Sequence, residues 1–487
     1  MYRKSNESAL EYKMRVIDPI SSTYCGAKWY NATIWLGSGQ TASCHHPPPH
    51  KISLTEIQDD PSALHNTFHK KVMRAQMLKG ERPKECEYCW KIENLKTDSV
   101  SDRVHKSEMF SDLDHLAIKS KNWNEKSILR NLEIAFDRSC QFACSYCNSG
   151  YSTAWSQDID RNGPYQNLRS DGAGAYWHNG AWSDEFTKTG QNPYVDAFWK
   201  WWPELSQTLE EFRITGGEPL MSKHLWKLLD LFEENKPTDN MLFSINSNLG
   251  VSSQVIDRLL AKTKSIHKFG IYTSCEATKD QAEYIRDGLN YKQYCQNLIQ
   301  ILETKKLFRV QLMITVNSLA LYGLTDWLDQ LMEWKDIYGK SFPAFGLTIL
   351  RFPSFMSPST LPKNLREERA LHIESWYNKN KMSPLLMPHE KDTIERLVEY
   401  LREVEDPHHK ASDLTLRQSD FKMFYQQYDT RRNKNFAQTF PKILVEWYNS
   451  IPTFESKTVQ NPIVGNASDG YHPNEQLKNI TERLGLT

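Results

Sequence analysis

The sequence predicts an α/β protein, a partial (β/α)6 barrel at residues 126–355. A cysteine-rich module at 1–125 precedes it, and a mainly helical extension and tail follow at 356–487. Three observations lead there. From about residue 128, short apolar runs alternate with amphipathic stretches of helical period. Before that point the chain carries turn residues, a Pro-rich connector and scattered cysteines. After residue 352 the pattern turns irregular and then helical. Repeated strand–helix units imply a parallel sheet, and six are fewer than the eight of a closed TIM barrel.

The elements follow in order. Residues 1 to about 24 read as a loose leader. Residues 29–45 alternate polar and apolar around Gly37-Ser38-Gly39 and predict a β-hairpin. His45-His46-Pro47-Pro48-Pro49-His50 is a stiff, non-helical connector. Residues 61–79 predict a helix, with Asp60 as N-cap and Gly80 as its stop. Strands are expected at 131–136, 210–215, 241–246, 267–273, 308–316 and 343–350, and helices at 223–235, 252–263, 277–304 and 324–338. Residues 148–205, rich in Gly, Asn, Tyr and Trp, interrupt this rhythm where a short link belongs. Such an insertion serves either as a functional lid or as an embellishment packed on its own aromatics. Further helices are expected at 365–379 and 391–405, and a surface-covering tail at 451–475.

Lys+Arg and Asp+Glu each number 60, so no global basic field favours nucleic acid. No stretch approaches the length of a membrane span, and the N-terminus lacks a signal-peptide core, so the expectation is a cytoplasmic protein away from membranes. Nine cysteines, an odd count, argue against a disulfide framework in a reducing compartment.

Five of the nine fall in two tight clusters, Cys86/Cys89 and Cys140/Cys144/Cys147, which points to metal. Cys140-Gln-Phe-Ala-Cys144-Ser-Tyr146-Cys147 follows directly on the first strand of the series. Four thiolates close an iron–sulfur site, whereas three leave one metal position open for chemistry. Taken alone, the trio also suits a partial zinc site or an electron-transfer cluster. A second motif, Arg213-Ile-Thr-Gly216-Gly217-Glu218-Pro219, ends the second strand. Its glycines let backbone approach a small ligand, and Glu218 can accept from an ammonium group. Ser274-Cys275-Glu276 ends the fourth strand, with Arg286 twelve residues after the serine. Asn246 closes the third strand and Asn317 follows the fifth, at carboxyl ends where such sheets bind ligands. Cys275 and Cys295 read as ordinary buried thiols.

Together, residues 128 to about 352 resemble the radical S-adenosylmethionine (SAM) superfamily. The C-x3-C-x2-C spacing with Tyr146 before its last cysteine looks like that family's signature. Gly216-Gly217-Glu218 is similar to its GGE motif. Ser274 with Arg286 is similar to a pair in the SPASM and twitch branches, with Cys275-Glu276 where Leu-Asp is the commoner text. The resemblance implies that Cys140, Cys144 and Cys147 hold a catalytic [4Fe-4S] cluster whose open iron binds SAM. Reductive cleavage of SAM would yield a 5′-deoxyadenosyl radical that abstracts a substrate hydrogen. It further implies that Tyr146, Gly216, Gly217, Glu218, Asn246, Ser274, Glu276, Arg286 and Asn317 line the SAM site. Glu218 would meet the amino group, Ser274 the ribose and Arg286 the carboxylate.

In the leading module, Cys25, Cys44, Cys86 and Cys89 make a complete four-thiolate set, which suits structural zinc or a saturated [4Fe-4S] cluster. His45, His46 or His50 could replace Cys25. Met77-Leu-Lys-Gly-Glu-Arg-Pro83, the Cys86/Cys89 pair, Glu93 and Ser101-Asp102-Arg103 resemble a twitch-type auxiliary-cluster module. The family implies a one-electron donor of the flavodoxin or ferredoxin type. Its relatives modify peptides, proteins or carbohydrates. Two other classes remain open: a radical SAM enzyme acting on nucleotides or RNA, and a catalytically silent metal-binding scaffold.

Overall fold

The computed structural model describes residues 3–96, 98–177, 186, 191–403, 413–452 and 473–486. The fold is mixed α/β, with a large, mostly parallel sheet and many helices. The chain divides into two compact units. The first comprises 1–136, 185–213 and 464–487, and the second 137–184 and 214–463. Among the described residues no helix is long and apolar enough to cross a membrane.

In the first unit, β1 (Asn31–Trp35), β2 (Gln40–Ala42), β3 (His50–Lys51) and β4 (Asn131–Ala135) lie in the order β4-β1-β2-β3. The expected hairpin is β1–β2, antiparallel with Thr33 opposite Ala42. It starts late because Ala27–Tyr30 is a helical turn. β1 also pairs in parallel with β4, Asn31 opposite Asn131 through Trp35 opposite Ala135. The turn needs its glycine. Gly39 has φ +62°, and a side chain there would strike the ring of Tyr194 at 2.1 Å.

Two expectations for this unit fail. The leader is folded rather than loose: Ser8 and Glu11 form a capping box on Ala9–Tyr12, and a π-turn covers Lys13–Ile17. Tyr12 and Ile17 are fully buried against Tyr24, Trp29 and Val104, apolar partners that a local reading cannot see. The helix expected at 61–79 is two, a 3-10 turn Pro61–Leu64 capped by Asp60 and a helix Phe68–Leu78 capped by Thr67. The break at His65-Asn66 lets both side chains bond the buried guanidinium of Arg74, at 3.0 and 2.9 Å.

The second unit contains β5 (Ala143–Cys144), the end of β6 (Glu211–Thr215), β7 (Leu242–Asn246), β8 (Lys268–Thr273), β9 (Arg286–Asp287), β10 (Arg309–Val316) and β11 (Ala344–Ile349). Its sheet runs β11-β10-β8-β7-β6, with β7·β8, β8·β10 and β10·β11 parallel. Helices Lys223–Glu234, Ser253–Thr263, Tyr291–Glu303 and Leu324–Tyr338 alternate with the strands and bury leucine- and isoleucine-rich faces. Helices Lys363–Asn380 and Pro388–Arg402 lie where helices are expected. Lys335 and Glu390, both fully buried, join at 2.6 Å, and Glu390 also accepts from Phe345 N at 2.9 Å. Removing either partner would strand a buried charge, at about 3–5 kcal/mol.

The helix expected at 277–304 is broken. It runs Lys279–Ile285, gives way to β9, and resumes at Tyr291. Gly288, at φ +99°, makes the turn, and β9 pairs with β5. Two helices appear that periodicity did not suggest, Leu414–Arg432 and Lys442–Ser450. Within the 148–205 insertion, Thr153–Asn162 and Ala173–Tyr176 belong to the second unit and Pro193–Leu205 to the first. Most of its Gly-Asn-Trp centre, and most of the 451–475 tail, lie outside the described residues.

Candidate functional site

The loop bearing Cys140, Cys144 and Cys147 is held through its backbone. Its middle is β5, with Cys144 opposite Arg286 and Ala143 opposite Asp287. Ser145 N donates to Ile285 O at 2.7 Å, and Cys147 N turns back to Cys144 O at 2.9 Å. Phe142 is wedged between two glycines. A side chain at Gly250 would lie 2.2 Å from its ring, and one at Gly288 2.9 Å. The loop's carbonyls are occupied: Thr153 Oγ1 donates to Cys140 O at 3.0 Å, Ser152 Oγ to Phe142 O at 2.6 Å, and Trp155 Nε1 to Cys144 O at 2.9 Å. A loop so tied presents its sulfurs in one arrangement.

Cys140 Sγ receives Phe142 N at 3.4 Å and Asn248 Nδ2 at 3.7 Å, contacts that suit a thiolate carrying charge. Without metal, burial pushes all three thiols up, Cys147 to about 12. A bound cation reverses that preference, so metal loading would release protons.

The Gly216-Gly217-Glu218 turn packs on the residues just before Cys140. Gly216 has φ +125°. A side chain at Gly217 would fall 2.3 Å from Ser139 O and 2.5 Å from Arg138 O, and Glu218 N donates to Ser139 O at 2.7 Å. The close approach that Gly217 permits here is of backbone to backbone rather than backbone to ligand. Glu218 is 1% exposed. Its carboxylate accepts from Leu220 N at 3.0 Å, Ser247 Oγ at 2.8 Å and Asn248 N at 2.6 Å. Burial outweighs those donors and lifts its pKa to about 7. A carboxylate has about four lone-pair positions, so one remains for a further donor.

Ser274, Glu276, Arg286 and Tyr146 meet. Arg286 Nη1 donates to Ser274 O at 2.7 Å and Ser274 Oγ at 2.9 Å, and lies 3.4 Å from Glu276 Oε1. Tyr146 OH donates to the same Glu276 oxygen at 2.7 Å. Asn246 Oδ1, at the carboxyl end of β7, and Arg286 Nε are buried atoms without a partner among the described residues. Asn317 is committed elsewhere: its Oδ1 caps Leu319 N and Ala320 N, both at 3.0 Å. Cys275 is buried with Sγ against Ala277 O at 3.2 Å, a thiol outside the cluster loop.

In the first unit, Cys25, Cys44, Cys86 and Cys89 line one small cavity together with Lys28, His46, Trp90, Arg103 and Lys106. Cys86 caps the helix Glu87–Glu93 that carries Cys89, and Cys44 follows β2. Arg103 brings in Cys25. Its guanidinium takes Glu93 at 2.6 and 3.0 Å, and Nη1 donates to Tyr24 O at 2.6 Å. Ser101 Oγ donates to Glu93 at 2.6 Å. The Glu93…Ser101-Asp102-Arg103 text is thus the clamp on the cysteine cavity. Burial, reinforced by the neighbouring thiols of Cys44 and Cys89, pushes Cys25 up to about 12.

Sequence reading missed two features here. One is a buried ion pair behind Cys86: Lys28, 2% exposed, bonds Glu85, which His69 Nε2 also meets at 2.6 Å. Adjacency of Glu85 to Cys86 was the only local signal. The other is that His46 lines the cavity alongside Cys25 rather than in its place. His45, His46 and Asp102 bring three ligand atoms within 4.8 Å of one another, but the Lys106 ammonium acts on the same groups and disfavours a cation there.

Among the described residues that trio is what closes to 4.8 Å, and neither cysteine set does.

No family model matches this sequence, and no curated protein matches it. Among solved structures the chain is similar to "Native anSMEcpe with bound AdoMet and Cp18Cys peptide". That likeness covers 66% of this chain and 99% of that one, at 11% sequence identity and a TM-score of 0.29. So distant a likeness leaves the functional reading to the residues themselves.

Proposed function

We propose that the chain is a radical SAM enzyme on a partial (β/α)6 barrel. The supporting observation is the pairing of β5 with β9, which sets Cys144 opposite Arg286 and so joins the three-cysteine loop to the Ser274–Arg286–Glu276 network. Cys140, Cys144 and Cys147 would hold a [4Fe-4S] cluster with one iron open. Bound there, cluster and SAM would supply radical chemistry for abstracting a substrate hydrogen. Glu218 would accept from the SAM ammonium with its remaining lone pair. Ser274 and Arg286 would meet ribose and carboxylate, and Tyr146 and Glu276 hold Arg286 in place. Asn246 Oδ1 is a free acceptor for SAM, whereas Asn317 shapes the loop after β10.

The module at 1–125 would hold a second, closed [4Fe-4S] cluster on Cys25, Cys44, Cys86 and Cys89, a reading supported by the cavity that the four share. A flavodoxin- or ferredoxin-type donor would reduce the protein. The substrate class favoured is a peptide, protein or carbohydrate.

Anaerobic reconstitution tests this. About eight irons per chain, with 5′-deoxyadenosine formed from SAM and dithionite, is the expected result. Cys144→Ala should abolish product. About four irons with product would return the N-terminal cysteines to zinc. A loaded, reduced protein that neither binds nor cleaves SAM would establish the silent scaffold instead.

A further inference from the structure

The helix Leu414–Arg432 lies far along the chain from the cysteine loop, yet its aromatic face reaches that loop. Tyr428 OH lies 3.3 Å from Ala143 O and 3.1 Å from Tyr284 O. It therefore bridges the cysteine loop and the segment leading into β9, the two arms of the ribbon that sets Cys144 opposite Arg286. Tyr425 OH lies 3.4 Å from Ser145 Oγ, and Tyr176 OH donates to Ser145 O at 3.0 Å. Tyr425 and Tyr428 are both fully buried. The helix is itself anchored. Asp420 accepts from Arg169 N at 2.7 Å and from Ser170 N and Oγ at 2.6 Å, and Arg432 pairs with Asp158 at 3.0 Å and Asp287 at 3.4 Å.

We propose that Tyr425 and Tyr428 are positioning residues of the cluster site, holding the cysteine loop and the Arg286 arm in register from the C-terminal helix. This rests on the radical SAM reading. The rings alone would fill the space, and Tyr428 already stacks on Phe424 at 5.5 Å. The hydroxyls add direction. Each buried hydroxyl meets a loop atom, Tyr425 the Ser145 hydroxyl and Tyr428, through its single proton, the Ala143 or the Tyr284 carbonyl, so its loss removes a buried hydrogen bond and frees the loop to shift. Shifts well below 1 Å matter where a bound group must face a reacting atom.

The test is the double variant Tyr425→Phe/Tyr428→Phe, which keeps both rings. Tyr448→Phe is the control, because its hydroxyl meets Lys422 O and not the loop. Three quantities are compared on the fully reconstituted chain: the SAM-induced change in the electron paramagnetic resonance of the reduced cluster, the SAM Kd, and the rate at which a chelator strips iron. The expectation is unchanged iron content, a broadened or lost SAM-induced change, SAM affinity and deoxyadenosine formation weakened roughly tenfold or more, and faster iron loss. Wild-type values for all three in the double variant would overturn the proposal. If the wild-type chain itself shows no response to SAM, the radical SAM reading fails, and the chelation rates still judge the brace: equal rates overturn it, and faster loss in the double variant sustains it.

Discussion

Glu218 sits at the junction of three functions: it closes the glycine turn, ties that turn to Ser247-Asn248, and keeps one lone pair for a cation. Its pKa near 7, raised by burial, makes that last role pH-dependent. The sign follows directly. Below about 7 the carboxyl is protonated and repays no ammonium, so SAM affinity should fall as pH drops from 8 to 6 and level off above 8. Glu218→Gln should bind SAM more weakly at pH 8 and lose this dependence, as titration calorimetry would show. Glu218, Ser274, Arg286 and the three cysteines stand out in the sequence as candidates because each belongs to a short motif, and the structure gathers Ser274 and Arg286 at the cysteine loop. Their partners Ser139, Ser247 and Asn248 were not, since nothing local marks a residue that serves as the far end of a hydrogen bond.

At the scale of elements, Gly217 and Gly288 are where the site's geometry is enforced. Any side chain at 217 collides with two carbonyls of the residues preceding Cys140. Gly217→Ala should therefore cost about 1–3 kcal/mol and remove roughly four irons, those of the 140–147 loop, leaving the N-terminal four. Iron analysis with thermal unfolding would check both. Gly288→Ala should act alike, through a positive φ as well as a clash with Gln141 O at 2.9 Å. The six strands were readable to within about a residue at each end, because apolar runs of strand length report their own burial. The break at Arg286 was not. Residues 277–304 carry helical periodicity throughout, and only pairing with a strand some 140 positions earlier converts two of them to β. Leu414–Arg432 shows the converse: Phe421, Phe424, Tyr425 and Tyr428 are spaced as a helical stripe, but dense charge around them lowers the signal.

For the molecule as a whole, the buried cysteines make stability depend on pH and, on the proposed function, on metal. Burial holds Cys25 and Cys86 up at about 12, above the ordinary thiol value. The neutral thiols thus stabilise the metal-free fold fully below about pH 8.5, and that contribution is lost as pH climbs toward 12. Metal-free protein should show a Tm that declines above pH 9. The iron-loaded chain, whose thiolates are already ionised and paired, should be higher in Tm and flatter. Differential scanning calorimetry of both forms between pH 7 and 10 would decide it. All four cysteines were named as one set from the sequence, and they line one cavity; what holds Cys25 there, Arg103 gripping Tyr24 O, is a tertiary fact.

The contact of Tyr428 with Ala143 spans 285 positions of chain, and this dictates an order of events during synthesis. When the cysteine loop leaves the ribosome, Arg286 does not yet exist, and the helix Leu414–Arg432 is made later still. At the usual 5–20 residues per second, the three thiols wait on the order of ten seconds or more without their ribbon or their brace. On the proposed function, a cluster at this site would gain its full support only once the helix Leu414–Arg432 has been made.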